Sequence, residues 1–114
     1  MMKIRISTVP ESATDLVALV SNQSQIDEYE WGILERKVNQ FHNNFAVKLR
    51  RDYLSLSEDD IRIILLLRIG MSHIQIARLT HVLMSSFRMR RSRLKKKMNV
   101  KCSSISDFIR NLYR

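Results

Sequence analysis

Two glycines, Gly32 and Gly70, and one proline, Pro10, are all that this chain of 114 residues holds for breaking regular structure. Sandwiches and barrels need a turn every few residues, commonly built on these residue types. Their scarcity favours helices joined by short corners. Hydrophobic residues make up 45% of the chain, enough for a modest core and too many for a wholly disordered segment. A chain of this length makes one small domain, or a domain with an arm. It cannot enclose a deep catalytic cavity between two domains.

The charge is lopsided. Residues 1–57 hold seven Lys or Arg and seven Asp or Glu, whereas residues 58–114 hold thirteen and four, so the second half carries the whole net charge of +9. Most of the excess lies in Arg88-Met89-Arg90-Arg91-Ser92-Arg93-Leu94-Lys95-Lys96-Lys97, a run without an acid. Such a run is either a solvated face or the footprint of a polyanion. Cys102 is the only cysteine. It rules out an internal disulfide and fits a reducing cytoplasm, the expected location. His42, His73 and His81 show no metal-ligand spacing with it, so neither metal nor cofactor is expected. The longest apolar stretch, Ile61 to Leu67, is interrupted by Arg62 and is far short of the ~18 residues of a membrane span. Met1-Met2-Lys3-Ile4-Arg5 lacks the features of a signal peptide, and no membrane partner is expected.

Residues 1–27 read as an N-terminal arm or linker. Ile4 and Ile6 alternate with charges as in a short strand, and Leu16, Val17, Leu19 and Val20 could be the apolar part of a short helix from Glu11. The spacing of Trp31, Leu34, Val38, Phe41, Phe45 and Leu49 predicts one long amphipathic helix over 28–51, within a segment 28–55. A three-four alternation also describes a coiled-coil seam. The aromatic content of this stripe suits a globular contact better.

Residues 56–114 read as a separate module. Ser57 is placed to cap a helix, with Asp60 where a capping box wants an acid. Ile61, Ile63, Ile64, Leu65, Leu66, Leu67 and Ile69 make that helix apolar on most sides, as in the middle of a bundle. Gly70 falls where it must stop. Ser72 caps a short second helix to about Thr80, with Ile74, Ile76, Ala77 and Leu79 as its apolar positions. His81-Val82-Leu83 forms a tight corner, and a third helix runs from about Met84 to Met98. Ile64, Ile76, Ala77, Phe87 and Leu94 are expected to be buried together. A final helix spans Ser103 to Arg114, with Ile105, Phe108, Ile109 and Leu112 at helical spacing. It closes the core, pairs subunits, or does both.

The third helix divides by face. At ~100° per residue, Met84, Phe87, Leu94 and Met98 share one side. Ser85, Arg88, Met89, Ser92 and Lys96 share the other, and Arg90, Arg91, Arg93, Lys95 and Lys97 fill the flanks. A B-form major groove admits one such helix. The centre of the ridge would meet base edges, while its flanks would meet phosphates.

These residues resemble a known family. Leu56-Ser57-Glu58-Asp59-Asp60, Gly70-Met71-Ser72, Gln75-Ile76-Ala77, Ser86-Phe87-Arg88 and Leu94-Lys95-Lys96-Lys97-Met98 follow, in order, the motifs of the LuxR/GerE-type helix-turn-helix. The chain looks most like the version at the C-terminus of certain Bacteroidetes regulators, in which a helix rich in tryptophan and phenylalanine precedes the module, as Trp31, Phe41, His42 and Phe45 do here. The resemblance covers about residues 29–114. It implies an all-α fold: a small helical bundle with a helix-turn-helix of the LuxR-like, winged-helix-like DNA-binding superfamily, preceded by the long amphipathic helix. It places base-reading positions on Arg88, Met89 and Ser92. Three positions depart from the pattern. Gln75 stands for glutamate, Thr80 for a core leucine, and Leu83 for the serine or threonine that caps the recognition helix.

The function expected from these readings is sequence-specific binding of double-stranded DNA by a transcriptional regulator. Ser85, Arg88, Met89 and Ser92 would contact bases. Ser86, Arg90, Arg91, Arg93, Lys95, Lys96 and Lys97 would contact phosphates. A homodimer is expected on a two-fold site, with RNA polymerase as a further partner. The rival is a protein-interaction module that keeps the fold without specific DNA binding. An enzyme is not expected: the sequence offers no nucleophile–base pairing, no phosphate-cradling glycine loop and no inward carboxylate pair.

Overall fold

The computed structural model describes residues 16, 17, 20, 23, 25–101 and 104–114. Among them the regular structure is entirely helical. The helices are α1 (Glu28–Phe41), α2 (Phe45–Asp52), α3 (Glu58–Arg68), α4 (His73–Leu79), α5 (Met84–Lys97) and α6 (Ile105–Asn111). Leu16, Val17 and Val20 are also helical. The strand expected at Ile4 and Ile6 lies outside the described residues, as do Leu19 and Cys102.

Helix α3 forms the middle of the bundle. Ile61, Ile63, Ile64, Leu65, Leu66 and Leu67 are all buried, and α3 touches α1, α2, α4 and α6. Each fully buried aliphatic side chain contributes about 1.5–3 kcal/mol relative to exposure, so this helix supplies much of the driving force. Its start is built as the sequence implied. Ser57 Oγ accepts from the Asp60 N–H at 3.1 Å, and Asp60 Oδ2 accepts from the Ser57 N–H at 3.0 Å. Its end is a Schellman turn. The Gly70 N–H donates to Leu67 O and the Met71 N–H to Leu66 O. Gly70 takes φ +101°, where an L side chain is strained.

The helix predicted over 28–51 is two helices. Between them His42, Asn43 and Asn44 break the ladder, with Asn43 at φ 54° and Asn44 at φ 61°. Asparagine tolerates this left-handed region better than most residues. Asn44 makes no capping bond of its own. Asn39 Oδ1, one turn back in α1, accepts instead from the N–H groups of Ala46 and Val47 at 2.8 and 3.2 Å. The apolar stripe survived the break because it reports which residues are buried. Leu34 and Val38 from α1 and Phe45 and Leu49 from α2 enter one core whether or not the axis is continuous.

The C-terminal end of the segment read as an arm or linker reaches the bundle. Leu16 and Val20 are fully buried in the same core. A Cβ built on Gly70 would lie 4.0 Å from Val17 Cγ2, so this segment packs beside the α3–α4 turn.

Arginines tie the layers together. Arg50 of α2 is bidentate to Glu35 of α1 at 2.8 Å and reaches Glu58 of α3 at 2.6 and 3.0 Å. Both carboxylates push its pKa upward. Arg68 lies 4.5 Å from the Phe45 ring centroid and donates to the carbonyls of Ile109, Arg110 and Leu112 at 2.8, 3.2 and 2.6 Å. The end of α6 is thereby capped by a side chain from α3. Ile105 and Ile109 are buried against the bundle, so the final helix closes the core.

Candidate nucleic-acid interface

The corner between α4 and α5 sets how α5 is presented. Ser72 and Gln75 form a capping box on α4, through bonds of 2.9 and 3.2 Å. Gln75 therefore completes the cap at the start of α4. Helix α4 ends in a second Schellman turn: the His81 N–H donates to Arg78 O and the Val82 N–H to Ala77 O. Here the left-handed residue is His81, at φ 60°. Thr80 Oγ1 bonds back to Ile76 O at 2.7 Å, which satisfies its hydroxyl. Leu83 occupies the N-cap of α5 without a side-chain bond and is 75% exposed. The missing cap does not delay the helix, which begins at Met84.

Helix α5 is held from below and polar above. Phe87 and Leu94 are fully buried, Met98 is 3% exposed, and Met84 is half-buried. With Ile64, Ile76 and Ala77 they belong to one cluster, as the face division requires. Ser85, Arg88, Met89 and Ser92, the expected base-contacting set, are all exposed. So are Ser86, Arg93, Lys96 and Lys97 of the expected phosphate-contacting set. Arg90, Arg91 and Lys95 are half-buried.

The two flanks differ in what they meet. Arg90 borders a groove of about 320 Å³ with Trp31, Asp59, Arg62 and the α4–α5 corner. On the opposite flank Arg91 hydrogen-bonds His73 of α4. At the end of the helix, Lys97 Nζ pairs with Asp60 Oδ2 at 2.6 Å. Burial pushes the Asp60 carboxyl up, but the Lys97 ammonium and the Ser57 capping bonds outweigh it and leave the pKa below its ordinary value. Lys97 therefore reaches the surface as half of an ion pair, whereas Lys96 and Arg93 project into solvent.

Two residues beside this surface were not among the expected contact residues. His73 begins α4, and its Nε2 lies 2.8 Å from Ser106 Oγ of α6. Arg110 of α6 acts electrostatically on His73. Neither belongs to the basic run. The packing of α4 against α5, and of α6 on the bundle, brings them there, and helical spacing alone could not show it. Among the described residues there is no group of three or more His, Cys, Asp or Glu side chains placed to hold a metal ion, and no helix is long and apolar enough to cross a membrane.

Comparison of the chain with protein-family models, curated proteins and solved structures finds no match.

Proposed function

We propose that this chain binds double-stranded DNA in a sequence-dependent manner, as a transcriptional regulator, with α4 and α5 acting as a helix-turn-helix and α5 entering the major groove. The observation that carries this reading is the asymmetry of α5. The helix spans Met84–Lys97 without a single acid, is anchored by two fully buried side chains, and turns a small polar centre flanked by cations to solvent. One arginine with two donors suits guanine O6 and N7. The surrounding cations suit the phosphate walls. A single module offers a small footprint, so a two-fold pair of copies is part of the proposal.

A second reading is an interaction module that does not select DNA. Exposed Leu83 and Met89, at 75% and 65%, favour it, because apolar side chains at a helix start suit a protein groove. Selection from a pool of random duplexes at two salt concentrations separates the readings. A consensus that persists at the higher salt is expected of a regulator. Binding without a consensus, or none, would refute it.

A further inference from the structure

Between α4, α5 and α6 lies a cleft of about 330 Å³, lined by His73, Arg88, Arg91, Ser92, Lys95 and Ser104 together with Ile105. Three of these side chains are cations and none is a carboxylate. The nearby acid on α6, Asp107, is exposed at the third position of its helix. Two hydroxyls complete a lining suited to a tetrahedral oxyanion.

At the back of the cleft His73 holds Arg91. A guanidinium only donates, so Nδ1 of His73 must accept from it, and the proton of the neutral ring sits on Nε2 and donates to Ser106 Oγ. The Phe87 ring lies against the imidazole, centroid to centroid 5.5 Å. Protonation of His73 places two donors face to face and ends the bond. Arg91, which lines the cleft, then loses its acceptor on His73, and the new imidazolium adds a further positive charge. Among the described residues the groups facing His73 are Arg91 from α5, Arg110 and Ser106 from α6, and Phe87, none of them an anion.

We infer that this cleft receives a phosphate group and that His73 is its proton-linked gate: phosphate binding and protonation of His73 promote each other. The assignment of that phosphate to a duplex backbone rests on the function proposed above; the cleft itself would accept a free phosphate by the same chemistry. In the empty cleft, burial and the Arg91 and Arg110 guanidinium groups hold His73 below its ordinary value of 6.5. A phosphate dianion or diester between Arg91 and Lys95 offsets the repulsion and raises it again. By linkage, affinity must then increase as pH falls between the two values, by at most about tenfold per pH unit for one proton.

The test follows the His73 ring by NMR in the full-length chain, with resonances assigned through the backbone, in chloride, in inorganic phosphate at equal ionic strength, and with a short mixed-sequence duplex. Phosphate and duplex should both raise the titration midpoint of His73 while leaving that of His42, which does not line the cleft, in place. Duplex affinity should strengthen toward acid pH in the wild type and lose most of that dependence in His73→Gln. A midpoint raised by phosphate in a chain that fails to bind the duplex supports the cleft and overturns the DNA reading. Duplex binding with an unmoved His73 midpoint, or with the same pH dependence in His73→Gln, overturns the inference and leaves the DNA reading intact.

Discussion

Lys97 Nζ and Ser57 N–H converge on one atom, Asp60 Oδ2, at 2.6 and 3.0 Å. The end of the basic helix is thereby fixed to the first turn of the central one. Lys97→Ala should cost less than about 1 kcal/mol, because its side chain is 36% exposed and such pairs are screened. Asp60→Ala should cost more, about 1–2 kcal/mol, since it also removes half of a capping box and strands the lysine. Urea denaturation of the two variants checks the order; a milder effect for Asp60→Ala would mean that the capping bonds contribute little.

Leu83 leaves the first N–H groups of α5 without a side-chain acceptor. Leu83→Ser should restore one and stabilise the fold by about 1 kcal/mol. Little apolar burial is lost, because Leu83 is already 75% exposed. An unchanged or lower denaturation midpoint would show that solvent already satisfies this end, or that Leu83 packs on a partner.

Stability should fall as pH drops through the histidine range. Burial, and then Arg68, hold His42 below 6.5. Arg68 Nε donates to its Nδ1 at 3.1 Å, and protonation would abolish that bond. His73 is lowered too. The unfolded chain therefore takes up protons first, and stability present above 6.5 is lost as pH falls from there toward the folded values. Asp60, held below 3.8, begins its own loss only at lower pH. Urea midpoints should thus decline from about pH 7.5 to about pH 5.5, less steeply in His42→Gln. A flat profile would contradict the burial of these rings.

Arg88 and Lys96 separate selectivity from affinity. Arg88→Ala should cost about 1–3 kcal/mol on the preferred duplex and blur one base pair. Lys96→Ala should weaken all duplexes alike and lower the salt slope by about one. Lys97→Ala should lower it by less, because Asp60 already neutralises part of its charge. Identical behaviour of all three variants would make α5 a charged surface without base readout.

How much of this was legible beforehand depends on range along the chain. Caps are local, so Ser57 with Asp60, Ser72, and Gly70 could be placed from spacing alone. The buried face of α5 followed from Phe87 and Leu94. The break at Asn43 and Asn44 was hidden because the seven-residue step from Val38 to Phe45 keeps helical phase across it. Asn-Asn was the available signal, as the residue type that accepts a left-handed turn without glycine. The Arg50, Arg68 and His73 contacts join residues 8 to 44 positions apart, and nothing in a single sequence pairs such positions.

The arginine clamp at Arg68 bears on where this protein can be cut. A boundary before residue 56, natural for a portable module, would remove Phe45 from beneath the Arg68 guanidinium and His42 from beside it. It would also take away both acceptors of the Tyr113 hydroxyl, Lys48 O and Asp52 Oδ2, and both α1 and α2 from the face of α3. What precedes the helix-turn-helix candidate is thus structural wall rather than tether. Grafting residues 56–114 onto another protein would transplant an opened core, and any exchange between proteins that preserved folding would have to carry α1 and α2 along with it.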